Sequence, residues 1–125
     1  MTKTEVNKFK AILEIKRREL EGNVRNREGI VIEKTPDALD EVQHAGEREL
    51  AIRNLDRESN LLRNVRGALR RIDEASFGVC MHCEEDINIK RLNAVPWTPY
   101  CISCQEIADR RSEEFSEEFD ELMVA

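Results

Sequence analysis

The chain has 125 residues, of which 37% are charged, and a formal net charge of −6. That size fits one domain, or a small domain carrying an extended element, and the charge density suits long solvated helices better than a thick core. No apolar run nears 18 residues and no basic-then-apolar leader opens the chain, which disfavours a membrane span or a signal peptide; the acidic balance disfavours a protein held mainly by phosphates.

Val6, Phe9, Leu13, Leu20 and Val24 recur at helical spacing and predict a first helix from about Thr4 to about Glu28. Residues 1–30 hold eight Lys/Arg against five Asp/Glu, so this helix is basic. Gly29 reads as its stop, with Ile30, Val31 and Ile32 opening a non-helical stretch. Thr35 is placed to cap a second helix with Pro36 at its first position, where a missing amide does no harm. Gly46 weakens the turns that follow, so the firm part of this helix is expected further on.

From Leu50 to Ile72 the pattern sharpens. Leu55, Leu62 and Leu69 fall seven apart, and Val65 and Ile72 form a second seven-residue track. Such a seam predicts an antiparallel helical hairpin, a short coiled coil with irregularities. Glu58 stands where another apolar residue belongs, and Lys16 and Arg27 lie near the seam of the first helix. At 1.5 Å per residue, a helix of about 25 residues projects roughly 35–40 Å, which makes residues 30–40 the far end of a rod. The arginines of the second helix alternate with acids and read mostly as solvated packing.

Two cysteine pairs follow, Cys80-Met81-His82-Cys83 and Cys101-Ile102-Ser103-Cys104, separated by 17 residues. Each pair offers two sulfurs from one tight turn, and the spacing is that of a four-thiolate metal site. Zn²⁺ is the expected ion, in a closed tetrahedral site that holds structure and leaves no position for reactive water. Two disulfides in an exported chain are the alternative; the tight spacing and the missing leader favour cytoplasmic zinc. Four thiolates around one divalent ion add about two further negative charges. His82 is expected to be exposed, because Cys80 and Cys83 already supply the ligands.

Residues 84–100 predict a small hairpin or irregular loop in which Ile87, Ile89, Leu92, Val95 and Trp97 cover the metal site and join the base of the rod. Trp97 and Tyr100 read as core filling. Beyond Cys104, the spacing of Ile107, Arg111, Phe115, Phe119 and Leu122 predicts a last amphipathic helix, with eight acids and two bases over residues 105–125. The expected fold is therefore mainly α, organised as a hairpin over 1–75 with its tip near 30–40, a four-cysteine zinc finger over 76–104, and an acidic C-terminal helix over 105–125 packed near the finger.

The segments Phe77-Gly78-Val79-Cys80-Met81-His82-Cys83, Ile87-Asn88-Ile89-Lys90-Arg91-Leu92, Ala94-Val95-Pro96-Trp97 and Asp37-Ala38-Leu39-Asp40 together resemble the DksA/TraR family of bacterial transcription regulators. The resemblance is specific over roughly residues 35–111 and lies mainly in pattern over the first helix. It implies a regulator that binds RNA polymerase, with the hairpin entering the secondary channel and the acidic tip modulating initiation, often together with the alarmone ppGpp. On this chain the tip residues it implies are Asp37, Asp40 and Val42. Val42 stands where the family usually has Ala, Glu84 where a glycine often follows the second cysteine, and Val95 where Arg is frequent. Lys90 and Arg91 are candidate partner contacts outside the metal turns.

Paired acids at a tip do not specify hydrolysis, and no enzyme is expected. Two other readings compete with transcription regulation. One is a zinc-containing interaction adaptor outside transcription, which the substitutions Val42 and Val95 encourage. The other is direct DNA binding by the finger, which the acidic balance and the lack of a recognition-helix arrangement disfavour.

Overall fold

A computed structural model describes the backbone of residues 1–32 and 38–124 and the side chains of residues 1–29 and 45–114. Four helices follow in chain order: α1 (Lys3–Ile32), α2 (Ala38–Asp73), α3 (Ile89–Ala94) and α4 (Ile102–Val124). Helices α1 and α2 pack against each other as an antiparallel pair, with Glu21 facing Arg66 and Arg27 facing Glu58. None of the described helices is long and apolar enough to cross a membrane.

Helix α1 opens with a reciprocal cap. The Thr2 hydroxyl accepts from the Glu5 amide at 3.3 Å, and the Glu5 carboxylate accepts from the Thr2 amide at 3.2 Å. This satisfies two of the amides that a helix start leaves orphaned. At its other end α1 runs on to Ile32, past the expected stop at Gly29. Gly29 does not take the left-handed conformation of a terminating glycine, and a glycine only lowers helix propensity when it stays helical. Gly46 is likewise carried inside α2, so the second helix is continuous from Ala38. The proposed cap at Thr35 and Pro36 lies outside the described residues.

Helix α2 ends by a Schellman motif. Ala75 takes φ +59°, its amide donates to Ile72 O, and the amide of Ser76 reaches back to Arg71 O at 2.8 Å. The turn redirects the chain into the finger without a glycine.

The core lies in two adjoining clusters. Leu13, Leu20, Leu62, Val65 and Ala68 fill the hairpin seam, with Val24, Leu69, Ile72 and Trp97 against them. Phe9, Cys80, Ile87 and Leu92 fill the base, with Tyr100 against them. Phe77 packs against both, and its ring lies 5.5 Å from that of Phe9 in a tilted arrangement worth about 0.5–1.5 kcal/mol beyond burial. The hairpin and the finger thus share one continuous apolar base. Ile89, the first residue of α3, does not join the cover expected of it: it is 44% exposed.

Candidate metal centre

The first cysteine turn is built from backbone. Gly78 takes φ +85°, a left-handed conformation that favours glycine, whereas the Met1 methyl that a Cβ there would meet is the end of a flexible side chain that can move aside. Its carbonyl accepts from Ile87 at 2.8 Å, and Val79 pairs with Asp86 in a single antiparallel bridge. Inside that clamp the Cys80 amide donates to Glu85 O, and the Glu84 amide donates to Cys80 O. Closing so tight a loop requires a left-handed residue, and Glu84 supplies it at φ +62°.

The expected loop over 84–100 contains a helix. Asn88 caps α3, its side chain accepting from the Lys90 amide at 2.9 Å. The six-residue helix is too short to show in hydrophobic periodicity, yet it turns Leu92 fully into the base. The second cysteine pair straddles the start of α4: Cys101 lies just before Ile102, and its carbonyl accepts from Gln105 at 2.9 Å. Helix α4 therefore begins inside the stretch that the sequence assigns to the finger.

Two arginines and a buried threonine join the two turns. Arg91 donates through Nε to Tyr100 O at 3.0 Å and through Nη2 to Thr98 Oγ1 at 3.1 Å. Thr98 is 3% exposed and donates in turn to Tyr100 O. Arg71, from the last turn of α2, donates to Thr98 O at 3.4 Å and to Met81 Sδ at 3.6 Å. Burial and then the neighbouring Arg70 hold the Arg71 guanidinium below its ordinary range. The Met81 amide completes the link by donating to Pro99 O. The sequence suggests an outward role for Arg91 and mostly solvated packing for Arg71. Their hydrogen bonds go to carbonyls, a hydroxyl and a thioether sulfur, which no spacing rule marks.

All four predicted ligands converge. The Sγ atoms of Cys80, Cys83, Cys101 and Cys104 lie within 4.8 Å of one another, and Cys83 and Cys101 stand 3.8 Å apart. Sulfurs arranged tetrahedrally at ~2.3 Å from zinc are about 3.8 Å from each other, so this cage fits Zn²⁺ without rearrangement of that edge. Cys80 is buried and Cys83 exposed, so the site is seated on the base cluster with one side toward solvent. His82 is exposed, as the sequence suggests, with its Nδ1 3.5 Å from Cys104 Sγ.

The thiols do not hold their protons equally. Burial pushes Cys80 up, but backbone amides of Cys83, Cys101 and His82 that point at its sulfur outweigh this and bring it down to about 6. Cys104 is pushed up to about 12, first by its hydrogen bond with Cys101 and then by burial. One thiolate is thus prepared before metal binding, whereas Cys104 gives up its proton only to the ion. Four thiolates close the coordination sphere, which makes the site a structural zinc site.

Lys90 is exposed on α3. Asp37 lies outside the described residues, and Asp40 and Val42 fall within α2, with their side chains outside the described set.

Residues 75–110 match the prokaryotic dksA/traR C4-type zinc finger. The RNA polymerase-binding transcription factor DksA of Salmonella typhimurium is 30% identical over 119 residues, 93% of this chain and 79% of that protein. The factor of the same name from Haemophilus influenzae is 37% identical over 79 residues, 63% of this chain and 54% of its own. Among solved structures, transcription factor DksA2 from Pseudomonas aeruginosa superimposes with a TM-score of 0.76 at 27% identity, covering 90% of this chain and 89% of that one. With the hairpin, the four-thiol cage and this identity along nearly the whole chain, the protein belongs to the DksA/TraR family.

Proposed function

We propose that this chain is a cytoplasmic transcription regulator that binds RNA polymerase. Its hairpin enters the secondary channel and the acidic tip, Asp37 and Asp40 with Val42 beside them, modulates initiation. The observation that carries the reading is the identity over 93% of the chain with a protein named for polymerase binding. The shape supports it: α1 has 30 residues and α2 has 36, lengths of about 45 and 54 Å at 1.5 Å per residue. A slender arm of that length buries little of itself and is suited to reach into a narrow channel. The protein acts by contact rather than by catalysis, since its metal has no open position.

In this reading the chain divides into a reaching hairpin, a zinc finger that anchors it, and an acidic C-terminal helix near the finger. Lys90 is the better of the two finger candidates for a polymerase carboxylate, because Arg91 already spends Nε and Nη2 inside the finger. A photo-crosslinker at Leu39 is expected to label residues inside the secondary channel of core polymerase. Asp40→Asn is expected to reduce the effect on transcription more than the affinity for polymerase, with and without ppGpp. Labelling elsewhere on the enzyme, or no binding at all, would exclude the reading in favour of an adaptor outside transcription.

A further inference from the structure

We propose that Arg27 and Glu58 form a positioning clasp that selects one alignment of the outer halves of α1 and α2 and so fixes where the hairpin points. Arg27 Nε donates to Glu58 Oε2 at 3.0 Å across the seam. Glu58 is only 8% exposed, and Ala51, Leu62 and Val65, which share its face of α2, are all buried. A carboxylate at that place is poorer than leucine for burial alone, and its removal from water is offset only while the guanidinium stands opposite.

The rest of the seam discriminates weakly between alignments. Leu55, Leu62 and Leu69 make only non-directional apolar contacts, which tolerate small changes in the angle between the helices. The ion pair has one partner in one place. Outer halves that splay apart leave Glu58 without the guanidinium opposite it. The base is held separately, where Phe9 meets Phe77, roughly 27 Å from Arg27 along α1 at 1.5 Å per residue. The clasp therefore acts where the base has least hold on direction.

Spin labels at Asn26 and Asp56 report on the outer half of the zinc-loaded full chain, and labels at Arg18 and Arg70 on the inner half; all four positions are exposed. The unmodified pair is expected to give one narrow distance at each site. Arg27→Leu/Glu58→Leu is expected to melt no lower, yet to broaden the outer distance as the outer ends splay, with the inner distance unchanged. Reversing the charges, Arg27→Glu/Glu58→Arg, is expected to bring back the single distance. An outer distance that stays narrow with two leucines, or stays broad with reversed charges, overturns the clasp.

The consequence for transcription rests on the proposed docking to polymerase. There the double-leucine variant is expected to bind polymerase like the parent while losing effect on transcription; full retention of that effect removes the functional part of the proposal. If the parent itself does not bind polymerase, the docking reading fails alone, because the distances decide the clasp without the enzyme.

Discussion

Cys80 shows how far a single residue is determined by its surroundings. Its thiol is buried, which alone would keep it protonated, and three backbone amides reverse the sign and bring it to about 6. An acid whose pKa is lowered by folding contributes stability that is fully present above the ordinary cysteine range and is lost as pH falls through about 6. Zinc binding follows the same direction, because its ligands must be deprotonated. Near pH 7.5 the Cys80 proton has already left, whereas Cys104, at about 12, still holds its own. Each zinc is therefore expected to displace about one proton more at pH 5 than at pH 7.5, with affinity falling over that range. Calorimetry of zinc binding in buffers of different ionisation enthalpy measures this number directly, and a proton count independent of pH would contradict the ordering of the thiols. The ligand identities are legible from the spacing alone. The ordering is not, since it depends on where folded amides point.

At the scale of elements, the sequence locates the hairpin and the seam and misplaces the ends. Apolar periodicity reports the buried face of a helix, which is long and repeated, so Leu13, Leu20, Leu62 and Val65 are readable as core. Helix ends depend on a few dihedral angles. Gly29 and Gly46 look like breaks and are helical, while Ala75 looks like helix and takes the left-handed turn. The start of α1 carries a readable sign in Thr2 and Glu5, spaced as a capping box, that apolar spacing passes over. These ends give a paired expectation. Gly46 is exposed, with open space where a Cβ would stand, so Gly46→Ala is expected to stabilise by about 0.5–1 kcal/mol. Ala75→Gly is expected to stabilise by about 1 kcal/mol for the opposite reason, by relieving an L-residue held at φ +59°. Thermal melts of the two single variants should both shift upward. A lower melting temperature for Ala75→Gly would mean that the Schellman turn carries no strain.

Taken whole, the molecule is a long arm with a small base, and the zinc sits where the two meet. Cys80 belongs to the same cluster as Phe9, Ile87 and Leu92, and Phe77 links that cluster to the hairpin seam. Arg71 extends the link by tying the end of α2 to Met81 in the first cysteine turn and to Thr98 ahead of the second. Losing the metal therefore leaves four thiols that no longer hold the turns together, beside an apolar base that still has α1 and α2 behind it. Roughly two thirds of the helical residues lie in α1 and α2, which pack on each other without using the finger's ligands. A chelator is expected to remove order from residues 76–125 first, with most far-ultraviolet helical signal retained and the melting temperature lowered, because the base of the seam loses its cover. Hydrogen exchange places the effect: amides of Ile87, Leu92 and Gln105 should lose protection on chelation, while those around Leu20 and Val65 keep theirs. Uniform loss across both regions would show that hairpin and finger unfold as one unit, and no loss at all would show that the cage is not what holds the finger.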